Sequence, residues 1–291
     1  MLFPRRLNMT YAVTGATGAF GALAIEHLIA KGIPAASVVA LVRNETKAAA
    51  LKTKGVTVRV AEYSDRPGLE KALKGVDRLL LVSGSEAGQR LPQHRNILYA
   101  AKAAGVKKVV YTSITQATTS TNILAPEHKG TEELLKASGL EVVVLRNNWY
   151  TENYAGDLAG AKHTGVVAAA VTKGRVGSAL RTEYAEAAVQ ALVSEGHGGK
   201  VYELGGALWS YPEFAAAAAQ VLGRDVKFVT VTEAEKKATL VGLGLPDGMA
   251  GFYAALDGSI EAGTLAHSSG DLEKLLGRKP LPLVQALKTL A

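Results

Sequence analysis

The sequence predicts an α/β protein: a doubly wound parallel sheet followed by a smaller C-terminal α/β region. Three observations predict it. Short β-branched runs alternate with segments of helical period through the first half of the chain. A glycine triplet stands between the first strand and the first helix. After Arg146 the alternation gives way to mostly helical patterns.

Six strands are expected over residues 11–13, 37–42, 56–60, 78–82, 108–112 and 141–145. Helical periodicity falls between them over residues 21–31, 45–54, 67–74, 89–104 and 126–138. Each of these helices runs into a glycine (Gly32, Gly55, Gly75, Gly105, Gly139), the residue that accepts a left-handed helix end. Beyond Arg146, helices are expected over 182–194, 211–222, 232–241 and 283–290, with short strands near 165–171, 200–204 and 226–231. No repeat or low-complexity linker separates the halves. The expected organisation is an N-terminal extension over residues 1–8, a dinucleotide-binding domain over 9–153, and a substrate-side region over 154–291 packed on its sheet.

Composition narrows the function classes. The chain has 291 residues, 48% of them hydrophobic, and no cysteine, which removes disulfides, thiolate metal sites and a cysteine nucleophile. Apolar runs are strand-sized and too short to span a bilayer, and the first residues lack the apolar core of a signal peptide, so a cytoplasmic protein is expected. The net charge is +7, but the basic residues come as scattered pairs such as Lys107-Lys108 and Lys236-Lys237. That pattern reads as a solvated surface rather than a nucleic-acid stripe, though it favours a polyanionic cofactor. The six histidines have no metal-ligand spacing and no GxSxG elbow is present, so neither a metal centre nor a serine hydrolase is expected. An oligomer is left open.

The most specific motif is Thr14-Gly15-Ala16-Thr17-Gly18-Ala19-Phe20-Gly21. Gly15 permits a sharp turn, Gly18 lets backbone approach a pyrophosphate, and Gly21 lets the helix pack on the sheet; the helix N-terminus then faces the phosphates. A Rossmann-type sheet follows from this placement. At the end of the second strand, where an NAD-selective site carries an acid, stands Arg43. A guanidinium there can grip a 2′-phosphate, so NADPH is the expected cofactor.

Ser113 falls where short-chain dehydrogenases carry their serine, but the next helix lacks their YxxxK pair. His128 stands at the tyrosine position and Glu132 at the lysine position. A glutamate one turn away would tend to keep the imidazole protonated, which leaves His128 open as an acid beside a structural role. Without a phenol and ammonium pair, an acceptor that spreads the incoming charge, such as a quinone or a cationic dye, is favoured over a simple ketone.

Together with the turn at residues 14–21, the segments Leu-Val-Ser-Gly-Ser-Glu-Ala-Gly-Gln-Arg (81–90), Tyr111-Thr112-Ser113 and Leu-Arg-Asn-Asn-Trp-Tyr-Thr-Glu-Asn-Tyr (145–154) resemble the NmrA-like atypical short-chain dehydrogenases. Within that group the likeness is to bacterial NADPH-dependent quinone oxidoreductases and triphenylmethane reductases, and it extends from Met9 onward. The resemblance implies cofactor contacts from Gly15, Ala16, Thr17, Gly18, Ala19 and Phe20, from Arg43, from Ser83, Gly84 and Ser85, and from Asn147, Asn148 and Trp149. It implies hydride transfer to a quinone-like acceptor, with Asn147, Tyr150 and His128 as candidate catalytic residues. Asn148 departs from the glycine expected there and would narrow the pocket. The alternative is a non-enzymatic NADP(H)-binding redox sensor of the NmrA type, which would equally lack the tyrosine and lysine.

Overall fold

A computed structural model describes residues 9–86 and 88–291. The expected extension over residues 1–8 lies outside the described residues. Among the described residues, eleven strands occur in the order β1 (Tyr11–Val13), β2 (Val38–Val42), β3 (Thr57–Val60), β4 (Arg78–Leu81), β5 (Lys108–Ile114), β6 (Glu141–Asn147), β7 (Val166–Ala169), β8 (Arg175–Val176), β9 (Val201–Leu204), β10 (Trp209–Ser210) and β11 (Lys227–Thr230). The same residues form twelve α-helices: α1 (Ala19–Ala30), α2 (Ala49–Thr53), α3 (Arg66–Leu73), α4 (Arg90–Ala103), α5 (Ala125–Ala137), α6 (Ala155–Thr164), α7 (Arg181–Val193), α8 (Tyr211–Leu222), α9 (Glu233–Gly242), α10 (Asp247–Glu261), α11 (Asp271–Leu276) and α12 (Leu283–Lys288).

The main sheet has seven strands in the order β3-β2-β1-β4-β5-β6-β9. The pairs β1–β2, β1–β4, β2–β3 and β4–β5 are parallel, with Tyr11 opposite both Val38 and Arg78. The order reverses at β1, as in a doubly wound fold. Every residue of β1, β2, β4 and β5 is buried, because helices cover both faces; this is why these strands read as continuous apolar runs instead of alternating ones. Leu79, Leu81, Val109 and Tyr111 form one face of the core with Leu69, Leu73, Ile97 and Ala101 from α3 and α4. The five glycines expected to end helices all have φ of 76–81°.

The chain divides into two compact units, and the division is not a single cut near residue 153. The first unit comprises the described residues up to Ile114, Pro126–Arg146 and Thr182–Tyr202; the second comprises Thr115–Ala125, Asn147–Arg181 and Glu203–Ala291. The return of residues 182–202 to the first unit has a physical cause at the end of α7. Arg78 Nη1 donates to the Leu192 carbonyl at 2.7 Å, and Lys108 Nζ donates to the Ser194 carbonyl at 2.9 Å. Two cations thus sit at the negative end of the helix dipole. Lys108 also pairs with Glu141 at 3.0 Å and is buried, so it is not part of the solvated basic surface that its sequence context suggests. At the other end of α7, Thr182 Oγ1 and His27 Nε2 of α1 lie 2.9 Å apart.

The second unit contains two small sheets, β7 with β11 in parallel and β8 with β10 antiparallel. Its core is aromatic: Tyr154, Trp209, Tyr211 and Phe214 pack edge-on or tilted, with Trp209 and Tyr154 centroids 4.9 Å apart. α6, α10 and α11 have no counterpart among the sequence expectations. α10 carries three glycines and its sequence is a poor helix former by propensity. It is held instead by two carboxylates. Asp257 accepts from the Ala170 N–H at 2.8 Å, and Glu261 accepts from the N–H groups of Thr172, Lys173 and Gly174 at 2.8–3.0 Å. These bonds, first that from the Thr172 hydroxyl, lower the Glu261 pKa to about 2.

Gly21 is the tightest point of the strand–turn–helix unit. A Cβ built there would stand 2.3 Å from the Gly15 carbonyl oxygen and 2.8 Å from Ala16 Cα, both backbone atoms that cannot swing aside. Gly21→Ala should therefore destabilise the protein by about 1–3 kcal/mol, as other overpacked sites do. Urea unfolding checks this; an unchanged midpoint would show that the turn is looser than described.

Candidate active site

In a parallel sheet the carboxyl ends of the strands share one edge, and ligands bind there. The residues after the neighbouring strands β2, β1 and β4 lie within the first unit. After β1, Gly15 turns with φ 58° and its carbonyl accepts from the Gly18 N–H at 2.9 Å. Thr14 ties the turn to the neighbouring strand end, accepting from Val82 N–H at 2.9 Å. Thr17, Gly18 and Ala19 are exposed, and Gly18, the N-cap of α1, brings no side chain to cap the free N–H groups of the helix. That is an open anion cradle. Ala16 and Phe20 are buried beneath it, and the Ala16 N–H is directed to the Leu41 carbonyl at 3.4 Å. Their side chains shape the turn from below.

After β4, the loop is held from its far side. Ser83 N–H donates to Thr112 Oγ1 at 2.9 Å. The Gly84 peptide is clamped at both polar ends: its N–H donates to His94 Nε2 at 3.1 Å and its carbonyl accepts from Arg90 Nε at 2.8 Å. Accepting at Nε2 fixes the His94 proton on Nδ1, which faces Thr131 Oγ1 at 3.0 Å. Ser85 is exposed beyond this clamp. Arg43, after β2, is ion-paired with Glu86 on the same loop. Tyr63, after β3, was not singled out by the sequence. Its hydroxyl lies 3.9 Å from where a Gly15 Cβ would be; burial raises its pKa, against hydrogen bonding with Thr14 and Gly15.

The region of the missing tyrosine and lysine is also within the first unit. His128 is buried, with Nδ1 2.8 Å from the Tyr111 hydroxyl. Burial first, then the charge of Arg90 and the neighbouring His94, lowers its pKa to about 3. The expectation that Glu132 keeps this imidazole protonated is corrected. Glu132 instead takes two bonds from Arg146, at 3.0 and 2.6 Å, and one from the Ser113 hydroxyl at 2.6 Å. The carboxylate has turned to a guanidinium, which leaves Ser113 committed as a donor and His128 neutral.

In the second unit, Asn147 and Asn148 differ sharply. Asn148 Nδ2 donates to the carbonyls of Leu265 and His267 at 3.0 and 2.8 Å, and Oδ1 accepts from the Trp149 N–H at 2.7 Å. Both Nδ2 hydrogens are thus committed within the chain, and Asn148 has a structural role. It ties residues 265–267 to the loop, and a Cβ on Gly177 would stand only 2.8 Å from its Nδ2. Trp149, partly buried, packs against the aromatic core. Asn147 is buried, and neither its Nδ2 nor its Oδ1 makes a hydrogen bond of good geometry among the described residues. The Tyr150 phenol is close enough to be influenced by it, and the Arg181 guanidinium lies over the Tyr150 ring at 4.8 Å. Asn147 is thus an under-satisfied buried amide beside a phenol. A separate cavity of about 320 Å³ lies against α8 and α12, lined in part by Thr151, Trp209 and Leu283; it gathers none of the expected site residues.

Burial of neutral histidines has a measurable consequence. His94 and His128 both have pKa values of about 3, below the usual 6.5, so the unfolded chain binds protons that the folded chain does not between those values. Their contribution to stability is complete above pH 6.5 and is lost as the pH falls towards 3. His94→Gln and His128→Gln should each reduce the proton uptake on unfolding near pH 5 by about one. Urea midpoints followed from pH 7 to 4.5 test this; variants as pH-sensitive as the parent would mean that the histidines are protonated in place.

No helix among the described residues is long and apolar enough to cross a membrane. The sequence profile of the NAD(P)H-binding family matches residues 15–194. Quinone oxidoreductase 2 of Escherichia coli strain K12 is 45% identical over 280 residues, covering 96% of this chain and 98% of that protein. The crystal structure of the NADPH-dependent quinone oxidoreductase of E. coli, in complex with NADPH, superposes with a TM-score of 0.92 over 97% of this chain and 99% of that one. Triphenylmethane reductase of Citrobacter sp. is 36% identical with a TM-score of 0.93, again over 97% of this chain and 99% of that one. With its glycine-rich turn, its sheet order and these full-length likenesses, the chain belongs to the NAD(P)H-binding family of Rossmann-fold proteins.

Proposed function

We propose that this protein is a cytoplasmic NADPH-dependent reductase of quinones or similar acceptors that spread negative charge. The observation that carries the reaction class is the fate of the proton-donor positions: His128 is buried and neutral, and Glu132 is locked to Arg146 and Ser113. A simple ketone would need a proton as its alkoxide forms, whereas a hydroquinone anion can wait for water. The full-length relatives named for quinone and dye reduction support the same class. They also weigh against the sensor reading, for which no residue here provides independent support.

The residues present fit the cofactor. A side chain at Gly18 or Gly21 would crowd the Gly15 carbonyl, so the turn is kept bare where a pyrophosphate needs backbone contact. When bound, NADPH supplies the hydride. Exposed Thr17 and Ala19 offer N–H groups to its phosphates, bare Gly18 lets the backbone approach them, and Arg43 takes the 2′-phosphate. Ser83 and Gly84, immobilised by Thr112, His94 and Arg90, present a fixed backbone surface to the ribose and nicotinamide side. Asn147 and Tyr150 are the acceptor-side groups: an amide and a phenol that can donate to a developing oxyanion without transferring a proton.

Two outcomes follow. The protein should oxidise NADPH with small benzoquinones. His128→Ala should lower that turnover less than about tenfold, below the usual range for loss of a general acid, and should leave no inflection removed between pH 5 and 8. Asn147→Ala should cost as much or more. A hundredfold loss in His128→Ala, with disappearance of a wild-type inflection in that range, would make His128 the acid after all. For the cofactor, Arg43→Asp should weaken NADPH binding about tenfold to hundredfold through loss of a charge-assisted bond and added repulsion. Calorimetry with NADH should show a much smaller change; equal losses for both would remove Arg43 as the discriminator.

A further inference from the structure

The pairing of Arg43 with Glu86 places a carboxylate on the very guanidinium that the 2′-phosphate would need. The two residues come from the loops after β2 and β4, and the sheet order puts β1 between those strands. The pair therefore spans the carboxyl end of β1, from which the glycine-rich turn springs. Both side chains are about half exposed, at 58% and 42%, so the pair is open to exchange with a solvent-borne ligand. Glu86 is nevertheless placed, not trailing. Its second oxygen accepts from Gln93 Nε2 at 2.7 Å, and its loop is fixed two residues earlier by the clamp of His94 and Arg90 on Gly84. No other side chain among the described residues hydrogen-bonds the Arg43 guanidinium.

We propose that Glu86 is a specificity-determining residue that competes with the 2′-phosphate for Arg43 and so sets how strongly the site prefers a 2′-phosphorylated adenosine over an unphosphorylated one. The inference rests on the reading of Arg43 as the phosphate anchor. Binding a 2′-phosphate exchanges one anion for another on a single cation. The phosphate, with more charge and three acceptor oxygens, wins the exchange, but the displaced carboxylate remains tethered nearby through Gln93 and repels it. An adenosine ribose with a free 2′-hydroxyl carries no charge to be repelled and leaves the ion pair in place. Glu86 thus acts selectively against the phosphorylated ligand. A half-exposed ion pair contributes little to folding, so its removal should leave stability almost unchanged.

The test is calorimetric titration of the full chain and of Glu86→Gln with 2′,5′-ADP and with 5′-AMP, at fixed ionic strength. Glutamine keeps the size and can keep the Gln93 contact, but it carries no charge. Glu86→Gln should bind 2′,5′-ADP about threefold to tenfold more tightly, a range set by the modest energy of an exposed ion pair, and 5′-AMP within twofold of the parent. Equal tightening of both ligands would show a strap that merely blocks entry, and weaker or unchanged 2′,5′-ADP binding would show that Glu86 orients Arg43 or does nothing; each of these overturns the proposal. Arg43→Ala, titrated in parallel, isolates the underlying reading. If that variant keeps the parent's preference for 2′,5′-ADP, the anchor assignment fails whatever Glu86→Gln does.

Discussion

The backbone contact between the start of α1 and the turn after β1 is the constraint on which the rest of the first unit depends. Gly21 lies so close to the Gly15 carbonyl and Ala16 that no side chain fits between them. That contact sets the helix hard against the sheet and leaves its N-terminus uncapped at the edge where β1, β2 and β4 end. The sheet fixes the rest by adjacency. Thr14 reaches Val82, which aligns the loop after β4 with the turn. The loop is then braced from α4 by His94 and Arg90. A surface for a dinucleotide results from backbone atoms held by groups that never need to touch it, which is how a first layer of contacts gains precision.

Insulation of the interior explains the chemistry that this scaffold suits. His94, Tyr111 and His128 form a buried run on the inner side of β5, with ring centroids 5.5 and 6.0 Å apart. Desolvation dominates every shift there, holding both imidazoles neutral and raising the pKa of the phenol. Charges in the same region are cancelled locally, as when Arg146 and Ser113 satisfy Glu132. A scaffold that neutralises its own titratable groups supplies few protons near neutral pH. It is better matched to an acceptor that stabilises charge by itself.

The second unit relies on a different device, carboxylates and amides that gather backbone. Glu261 collects three successive N–H groups, Asp257 one, and Asn148 two carbonyls and one N–H. Each holds a loop that has few apolar side chains of its own. Against this background the buried carboxamide of Asn147, without a bond of good geometry, stands apart from its immediate neighbour. Two adjacent asparagines with the same side chain thus differ in their surroundings, one closing the fold and one buried without a hydrogen bond of good geometry.

The sequence by itself determined the sheet, the glycine turn and the class of cofactor. These depend on local patterns: apolar runs covered on both faces, glycine at left-handed helix ends, and an arginine where an acid would exclude a 2′-phosphate. It could not show that α10 forms, because its three glycines argue against a helix and its support comes from carboxylates bonding a loop about 87 residues away. It could not separate Asn147 from Asn148, nor turn Glu132 from His128 towards Arg146, since side-chain partners were decided by the register of β6 beside α5 and by residues distant in the chain. Nor could it pair Arg43 with Glu86, or bury Lys108 at the end of α7. Composition and period fix which backbone groups must be satisfied locally; only the packed tertiary structure decides which distant charge or amide satisfies what remains.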